Sequence, residues 1–366
     1  MSKLGRKGLL AIAAVLIISL VVPSVLAAQT KAQLYIPVIS KGFQHQFWQA
    51  VKRGAEQAAK QYNVQITFEG PPTEADIQPQ VQMLVNAMAK SPSAICLAAL
   101  DTSSVMDQLN EALQRNIPII GFDSGVPNAP AGAIFATAAT NSYNAAGVAA
   151  DKMFAVMKDK IAAATAAKPV TIIDFNQDAT SQSVTDRGKG FRDEMIKLIT
   201  TQTKHPLTDI KVRGNAAYIA ADTPTSGKAI IIDVVVPPSP KDTDMTNAAQ
   251  AILNRFKSDN ILGIFCSNEG ASRGILSATN DGSALPKQYS GLAVIGFDAG
   301  KAQKAAVKAK YFLGAITQDP VQIGFKAVEL AVLALQGKPV QNVDTGAKFY
   351  NAANMDQPEF LPLLYD

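Results

Sequence analysis

Cysteine, histidine and tryptophan are close to missing from this 366-residue chain, which holds two, two and one of them. Two cysteines exclude a disulfide framework. Cys96 and Cys266 each sit in an apolar, strand-like run (Ala94 to Leu100 and Ile261 to Ser267), the setting of an inert core thiol. No His/Cys cluster stands at metal-ligand spacing, so no metal site is expected. Also missing are a Gly-x-Gly-x-x-Gly turn after the first strand and a Gly-Lys-Ser/Thr phosphate loop. With neither a nucleophile–base pair nor a cofactor loop, the chain reads as a non-enzyme without cofactors. Charge of one sign is scarce too: 34 basic residues face 30 acidic ones. Removing Lys3, Arg6 and Lys7 leaves 31 against 30, which gives no surface for nucleic acid.

One long apolar run is present, Leu9 to Val22, behind those three basic residues. Pro23 breaks it. Ser24 to Ala28 then supplies small residues with Val25 and Ala27 at signal-peptidase spacing, so residues 1–28 are expected to be a cleaved secretory signal. A membrane anchor would need roughly 18 to 20 apolar residues, more than this run offers. No cysteine stands near the cleavage site, so the product is expected to be a soluble periplasmic or extracytoplasmic protein and not a lipoprotein. What remains is long enough for two domains of roughly 100–200 residues.

From Gln33 onward, short apolar runs alternate with amphipathic stretches, the pattern of βαβ units around parallel sheets. Strands are predicted at Leu34 to Ser40, Val64 to Glu69, Ala94 to Ala99, Pro118 to Asp123, Val170 to Asp174, Ala229 to Val236, Ile261 to Ser267 and Leu292 to Asp298. Phe43, Phe47, Val51, Ala55, Ala58 and Tyr62 recur at three and four residues, the stripe of a helix. Similar stripes run over Gln80 to Ala89, Val105 to Gln114, Ala145 to Met157 and Thr246 to Phe256. Between Ile199 and Ser226 the pattern weakens, and this stretch, with His205, reads as a surface excursion. The fold class is α/β, with two doubly wound lobes.

One internal echo supports the two lobes: Ile120-Gly121-Phe122-Asp123-Ser124-Gly125 recurs as Ile295-Gly296-Phe297-Asp298-Ala299-Gly300. Asp-x-Gly is also ordinary turn chemistry after a buried strand. As a repeat, however, it puts one carboxylate at the carboxyl end of a strand in each half, where open α/β sheets bind ligands.

Several landmarks extend that reading. They are Ser40 through Gly54-Ala55-Glu56, Pro118 to Asp123, Thr140 to Gly147, Arg187-Gly188-Lys189-Gly190-Phe191, Cys266-Ser267-Asn268-Glu269-Gly270, Val294 to Asp298, and Gln318-Asp319-Pro320 with Gln322-Ile323-Gly324. In this order and spacing the chain resembles the ribose-type periplasmic sugar-binding proteins. The resemblance implies a type I periplasmic binding fold with three crossings, near Thr140, Gln318 and Thr345. It further implies an N-terminal lobe of residues 33–139 plus 319–345 and a C-terminal lobe of 140–318 plus 346–366, to which the segment Val343 to Asn351 returns. The implied function is capture of a monosaccharide or related polyol for an ABC permease, by a monomer that closes on a hinge; the same form could instead serve a sensor kinase or chemoreceptor.

By the same resemblance, Asp123, Thr140, Asn268, Asp298 and Gln318 fall where sugar hydroxyls are bound, and Phe47, Trp48 and Phe297 where aromatic faces cover the ring. A carboxylate accepts two hydroxyl protons, and aromatic faces cover the C–H faces of a pyranose. The chain departs from the ribose pattern in its longer loop Lys41 to Gln46, with His45 in place of an asparagine. Ser124 and Thr185 stand for arginines and Ala98 for an asparagine. These changes argue against ribose, and Lys41, Phe43 and His45 are expected to supply replacement contacts.

Overall fold

The computed structural model describes residues 33–43 and 45–365, so the expected signal peptide lies outside the described residues. The chain begins with β1 (Tyr35–Ile39), α1 (Gln46–Tyr62), β2 (Gln65–Glu69), α2 (Ile77–Ala89), β3 (Ile95–Leu97), α3 (Met106–Gln114), β4 (Ile119–Phe122) and β5 (Ile134–Ala139). It continues through α4 (Ser142–Ala162), β6 (Val170–Phe175), α5 (Gln182–Gln202), β7 (Ile210–Gly214), β8 (Ile230–Val235), α6 (Asp242–Asn254) and β9 (Ile261–Cys266). Then come α7 (Glu269–Ala278), α8 (Leu285–Gln288), β10 (Ala293–Phe297), α9 (Lys301–Lys308) and β11 (Gly314–Gln318). It closes with α10 (Pro320–Leu335), β12 (Val343–Asp344) and β13 (Ala347–Tyr350).

Two sheets result, each the spine of a lobe. The first runs β12-β5-β4-β3-β1-β2, all parallel, and the second β13-β11-β10-β9-β6-β8-β7, parallel except for β13. Helices cover both faces, which is why β4, β6 and β9 are buried at every position and β4 and β9 read as unbroken apolar runs. The chain passes from the first sheet to the second after Ala139. It returns after Gln318, where α10 packs on α1 and behind β3, β4 and β5, and it leaves again between Asp344 and Ala347. The strand-like segment Val343 to Asn351 therefore does not return whole to the second lobe. Its first half pairs with β5 in the first sheet and its second half with β11.

The α1–α10 contact fixes the first lobe. Gly54 faces Val321 and Gly324 faces Val51, and a Cβ on either glycine would stand 1.9 Å from the opposing carbonyl oxygen. Only two bare backbones can approach so closely.

Residues 199–226 are not a surface excursion. They carry β7, an edge strand with Ile210 and Val212 buried, and His205 is buried with its ring nitrogens 2.8 Å from the Asp209 carboxylate and 3.0 Å from the Ile161 carbonyl. Both cysteines are buried and unbridged, and burial pushes both thiols well above their ordinary range. Among the described residues, no helix is long and apolar enough to cross a membrane, and no group of acidic, histidine or cysteine side chains could hold a metal ion.

Candidate ligand cleft

Asp123 and Asp298 leave the ends of β4 and β10 with positive φ, 55° and 77°, a conformation Asp tolerates better than most residues. That turn lifts each carboxylate off its strand into the space between the sheets. Asp298 accepts hydrogen bonds from Gln318 Nε2 at 2.7 Å and from the Glu269 N–H at 3.0 Å, with Arg187 Nη1 at 3.6 Å. Asp123 faces the ammonium of Lys41 at 3.4 Å, and its buried Oδ2 receives no hydrogen bond.

Both carboxylates line one cavity. The first lobe adds Lys41, His45, Phe47, Trp48 and Glu74, and the second adds Val184, Arg187 and Asn268, with Gln318 at the end of β11. Helix α1 delivers the aromatic pair, Phe47 edge-on to Trp48 with centroids 4.9 Å apart. The Trp48 indole donates to Glu74 at 2.8 Å.

The space itself is about 20 Å³, enough for one water. Direct bonds from lobe to lobe account for this closeness. Lys41 donates to the Ser183 hydroxyl at 3.1 Å, Gln177 to the Glu74 carboxylate at 2.9 Å, and the Lys301 N–H to the Gln46 side-chain oxygen at 2.7 Å. A sugar-sized guest therefore requires the lobes to part, a hinge motion about the three crossings.

Charge is concentrated here at unusual burial. Desolvation opposes the ammonium of Lys41, but Asp123 and Glu74 outweigh it and raise its pKa above the ordinary value. Burial likewise opposes ionisation of Glu74, yet Lys41, His45 and the Trp48 and Gln177 donors hold it below the usual carboxylate range. Asp123 is pushed up, first by burial, and Lys41 and Arg187 offset only part of that; Glu269 is raised for the same first reason. His45 lies between Glu74 at 3.6 Å and Glu269 at 4.0 Å, so its ring bridges carboxylates from the two lobes. The cavity thus offers acceptors that a hydroxyl donor would satisfy, and cations that a hydroxyl oxygen could meet.

Of the residues expected from sequence, Lys41, His45, Phe47, Trp48, Asp123, Asn268, Asp298 and Gln318 meet in this cavity. Asn268 serves twice, since its side-chain oxygen also caps α7 by accepting from the Ala271 N–H. Three stand elsewhere. Phe43 is partly exposed against Phe68, and the Thr140 hydroxyl donates to the Gly346 carbonyl at the crossings. Phe297 lies under the Arg187 guanidinium, 3.9 Å from its ring centre, so its face is already covered. Sequence reasoning missed Glu74 and Arg187 as cleft residues. Glu74 follows the carboxyl end of β2, the position that flagged Asp123, and Arg187 stood inside a quoted landmark without being assigned a contact.

Two Rossmann-like lobes with opposed carboxylates in a shared, hinged cleft define the class of bilobal solute-binding proteins. The family described as periplasmic binding protein domain matches residues 36–339, and the chain belongs to it. A solved structure named as an ABC transporter, LacI family transcriptional regulator from Brachyspira murdochii is similar at 39% identity, with TM-score 0.75, over 92% of this chain and 99% of that one. A carbohydrate transporter solute-binding protein from Agrobacterium radiobacter, in complex with D-arabinose, is 25% identical with TM-score 0.72 over 92% and 100%. The D-allose-binding periplasmic protein of Escherichia coli K12 is 22% identical over 85% of this chain and 88% of its own length.

Proposed function

We propose that the protein is an extracytoplasmic solute-binding protein that captures a sugar between its lobes and delivers it to an ABC importer. The observation that carries this reading is the pairing of Asp123 and Asp298 in one cavity walled by Phe47 and Trp48. Solved relatives bear D-arabinose and D-fucose, which supports a monosaccharide guest. In this reading Lys41, His45, Asp123, Asn268, Asp298 and Gln318 bind hydroxyls, joined by Glu74 and Arg187, while Phe47 and Trp48 cover a ring face. Thr140 and Phe43 act at the hinge and the cleft rim, and Phe297 acts by supporting Arg187.

The lobes are divided as 33–139 plus 319–345 and 140–318 plus 346–366. A monomer, released by cleavage of residues 1–28 and free of a lipid anchor, closes on its ligand, and the closed form docks on the permease. Selection of the closed state by ligand needs only that the guest bind it better than the open one.

A thermal-shift screen over monosaccharides, deoxysugars and polyols tests the reading, because a ligand that binds only the native state raises Tm. At least one sugar is expected to do so, with ribose weaker than a hexose or deoxysugar; a screen without any stabilising sugar overturns it. Ribose is disfavoured because Ser124 and Thr185 have local duties. The Ser124 hydroxyl accepts from the Ser183 N–H and the Thr185 hydroxyl donates to the Ser181 carbonyl, so neither adds a cation to the cavity.

A further inference from the structure

Beyond β13 the chain turns back over the second lobe and ends its described course at Tyr365, buried at 5% exposure. Three bonds fasten this segment to the second lobe. Thr317 on β11 donates to the Leu363 carbonyl at 2.7 Å, and the Lys304 ammonium on α9 donates to the carbonyls of Leu364 and Tyr365. Met355 and Phe360, from the same segment, are buried in the hydrophobic core. The segment is thus anchored, and Tyr365 stands at its tip.

Two contacts of Tyr365 point toward the cleft. Its hydroxyl accepts from the Ala299 N–H at 3.0 Å, one residue past Asp298. The Asp298 carbonyl is held from the other side by Gln303 Nε2 at 2.6 Å and the Tyr350 hydroxyl at 3.0 Å. The positive-φ turn that aims the Asp298 carboxylate is therefore gripped at both ends. Meanwhile the Tyr365 ring meets Phe47 of the first lobe edge-on, with centroids 6.1 Å apart, and Phe47 in turn lines the cavity beside Trp48. One side chain touches the turn that aims a carboxylate in one lobe and an aromatic wall of the other.

We infer that Tyr365 is a positioning residue for ligand capture, its hydroxyl fixing the Asp298 turn and its ring latching the second lobe onto Phe47 when the cleft closes. This rests on the cleft being the ligand site. Because the ring contact spans the lobes, it exists only in the closed form, and losing it speeds opening without changing encounter. The hydroxyl bond lies within the second lobe and acts in both forms.

The test uses Tyr365→Phe and Tyr365→Leu in the full chain. Stopped-flow Trp48 emission with the tightest binder among D-allose, D-fucose and D-arabinose is expected to show koff raised about three- to tenfold in Tyr365→Leu, the range of one lost ring pair, with kon within about twofold. Tyr365→Phe keeps the ring and restores most of that difference. Independently of any sugar, the Ala299 amide in Tyr365→Phe is expected to exchange its hydrogen at least about tenfold faster than in the parent, as an amide stripped of its acceptor does. A purely structural tyrosine would lower Tm in the ligand-free variants and leave koff alone. Unchanged koff in Tyr365→Leu, or unchanged Ala299 exchange in Tyr365→Phe, overturns the latch. If none of the three sugars binds the parent, that failure falls on the sugar reading, and the Ala299 exchange still decides the positioning role.

Discussion

Asp123 and Asp298 hold the same backbone geometry in opposite lobes: each has positive φ, and each donates its own N–H to the neighbouring strand, to Ala138 at 3.0 Å and to Ile316 at 2.6 Å. The echo seen in sequence is therefore a repeat of a structural device. A non-glycine residue in that conformation costs of order 1–3 kcal/mol and persists only where its surroundings enforce it, and such strain collects at sites that must aim a side chain. Here the enforced residue is a carboxylate facing a cavity.

This geometry separates two substitutions at Asp298 that look alike in sequence. Asp298→Asn keeps a residue that tolerates positive φ and an oxygen for the Glu269 N–H, but it loses the charge and puts an amide donor opposite Gln318 Nε2, which the Gln318 amide can meet only by flipping its oxygen toward it. It should fold as the parent does and weaken sugar binding by about 1.5 to 3 kcal/mol, the worth of a charge-assisted bond. Asp298→Ala loses every side-chain bond at this position and also strains the turn, so its denaturant midpoint should fall as well. Calorimetry and urea unfolding on both variants decide this; an affinity for Asp298→Asn equal to the parent's would reduce Asp298 to a turn-former.

Glu74 is the hub of closure, since it accepts from Trp48 in its own lobe and from Gln177 in the other and lies 3.9 Å from Lys41. Glu74→Ala leaves Lys41 buried with one carboxylate fewer. Truncating a buried charge partner typically costs 2 to 5 kcal/mol, so affinity should drop by about thirtyfold or more. Trp48 is the chain's single tryptophan and reports the event directly. A saturating sugar should change its emission in the parent, and a spectrum untouched by a bound sugar would mean that Trp48 only packs.

Where the sequence was legible, burial explains why. Strands covered on both faces, such as β4 and β9, are continuous apolar runs that can hardly be anything else at that length. The strands that escaped notice carry mixed signals. In β7 the half-buried Lys211 and Arg213 alternate with buried Ile210 and Val212 at a sheet edge, and β11 reads Gly-Ala-Ile-Thr-Gln because its end serves the cleft. The cleft was legible at Asp123 and Asp298 through the repeat. Arg187 was not, because an arginine in an early turn of a helix is ordinarily solvated, and only the folded chain lays it over Phe297 and beside Asp298. For Phe297 the sequence shows an aromatic ring but not the guanidinium that lies over its face.

The glycine contact between α1 and α10 predicts a non-additive pair. Gly324→Ala would drive its Cβ into the Val51 carbonyl and force the helices apart, at a cost of about 1 to 3 kcal/mol for overpacking. Gly54→Ala meets the Val321 carbonyl in the same contact and should cost a similar amount alone. Once one alanine has separated the helices the second finds room, so the double variant should lose less than the sum of the singles. Urea midpoints of the three proteins measure this, and strict additivity would show that the two glycines do not share one contact.

Asp174 is the penultimate residue of β6, three residues before the Gln177 that reaches Glu74, and burial pushes its carboxyl up to about 8 against the favourable bond from Asn176 Nδ2 at 2.8 Å. Its Oδ2 has no hydrogen-bond partner, a setting that costs an ionised oxygen more than a neutral one. The unfolded chain ionises this group near the ordinary aspartate value, so the folded state holds the extra proton between about pH 4 and pH 8. The stabilisation is fully present below that window and is lost as pH rises through it, with a slope of at most about 1.4 kcal/mol per pH unit. Asp174→Asn keeps the oxygen that accepts from Asn176 and places a neutral amide where the proton would be held. Relative to the parent, the variant should therefore gain stability steadily from pH 5 to pH 8 in urea unfolding; a stability difference that stays flat across those pH values would mean that Asp174 is ionised in the folded protein.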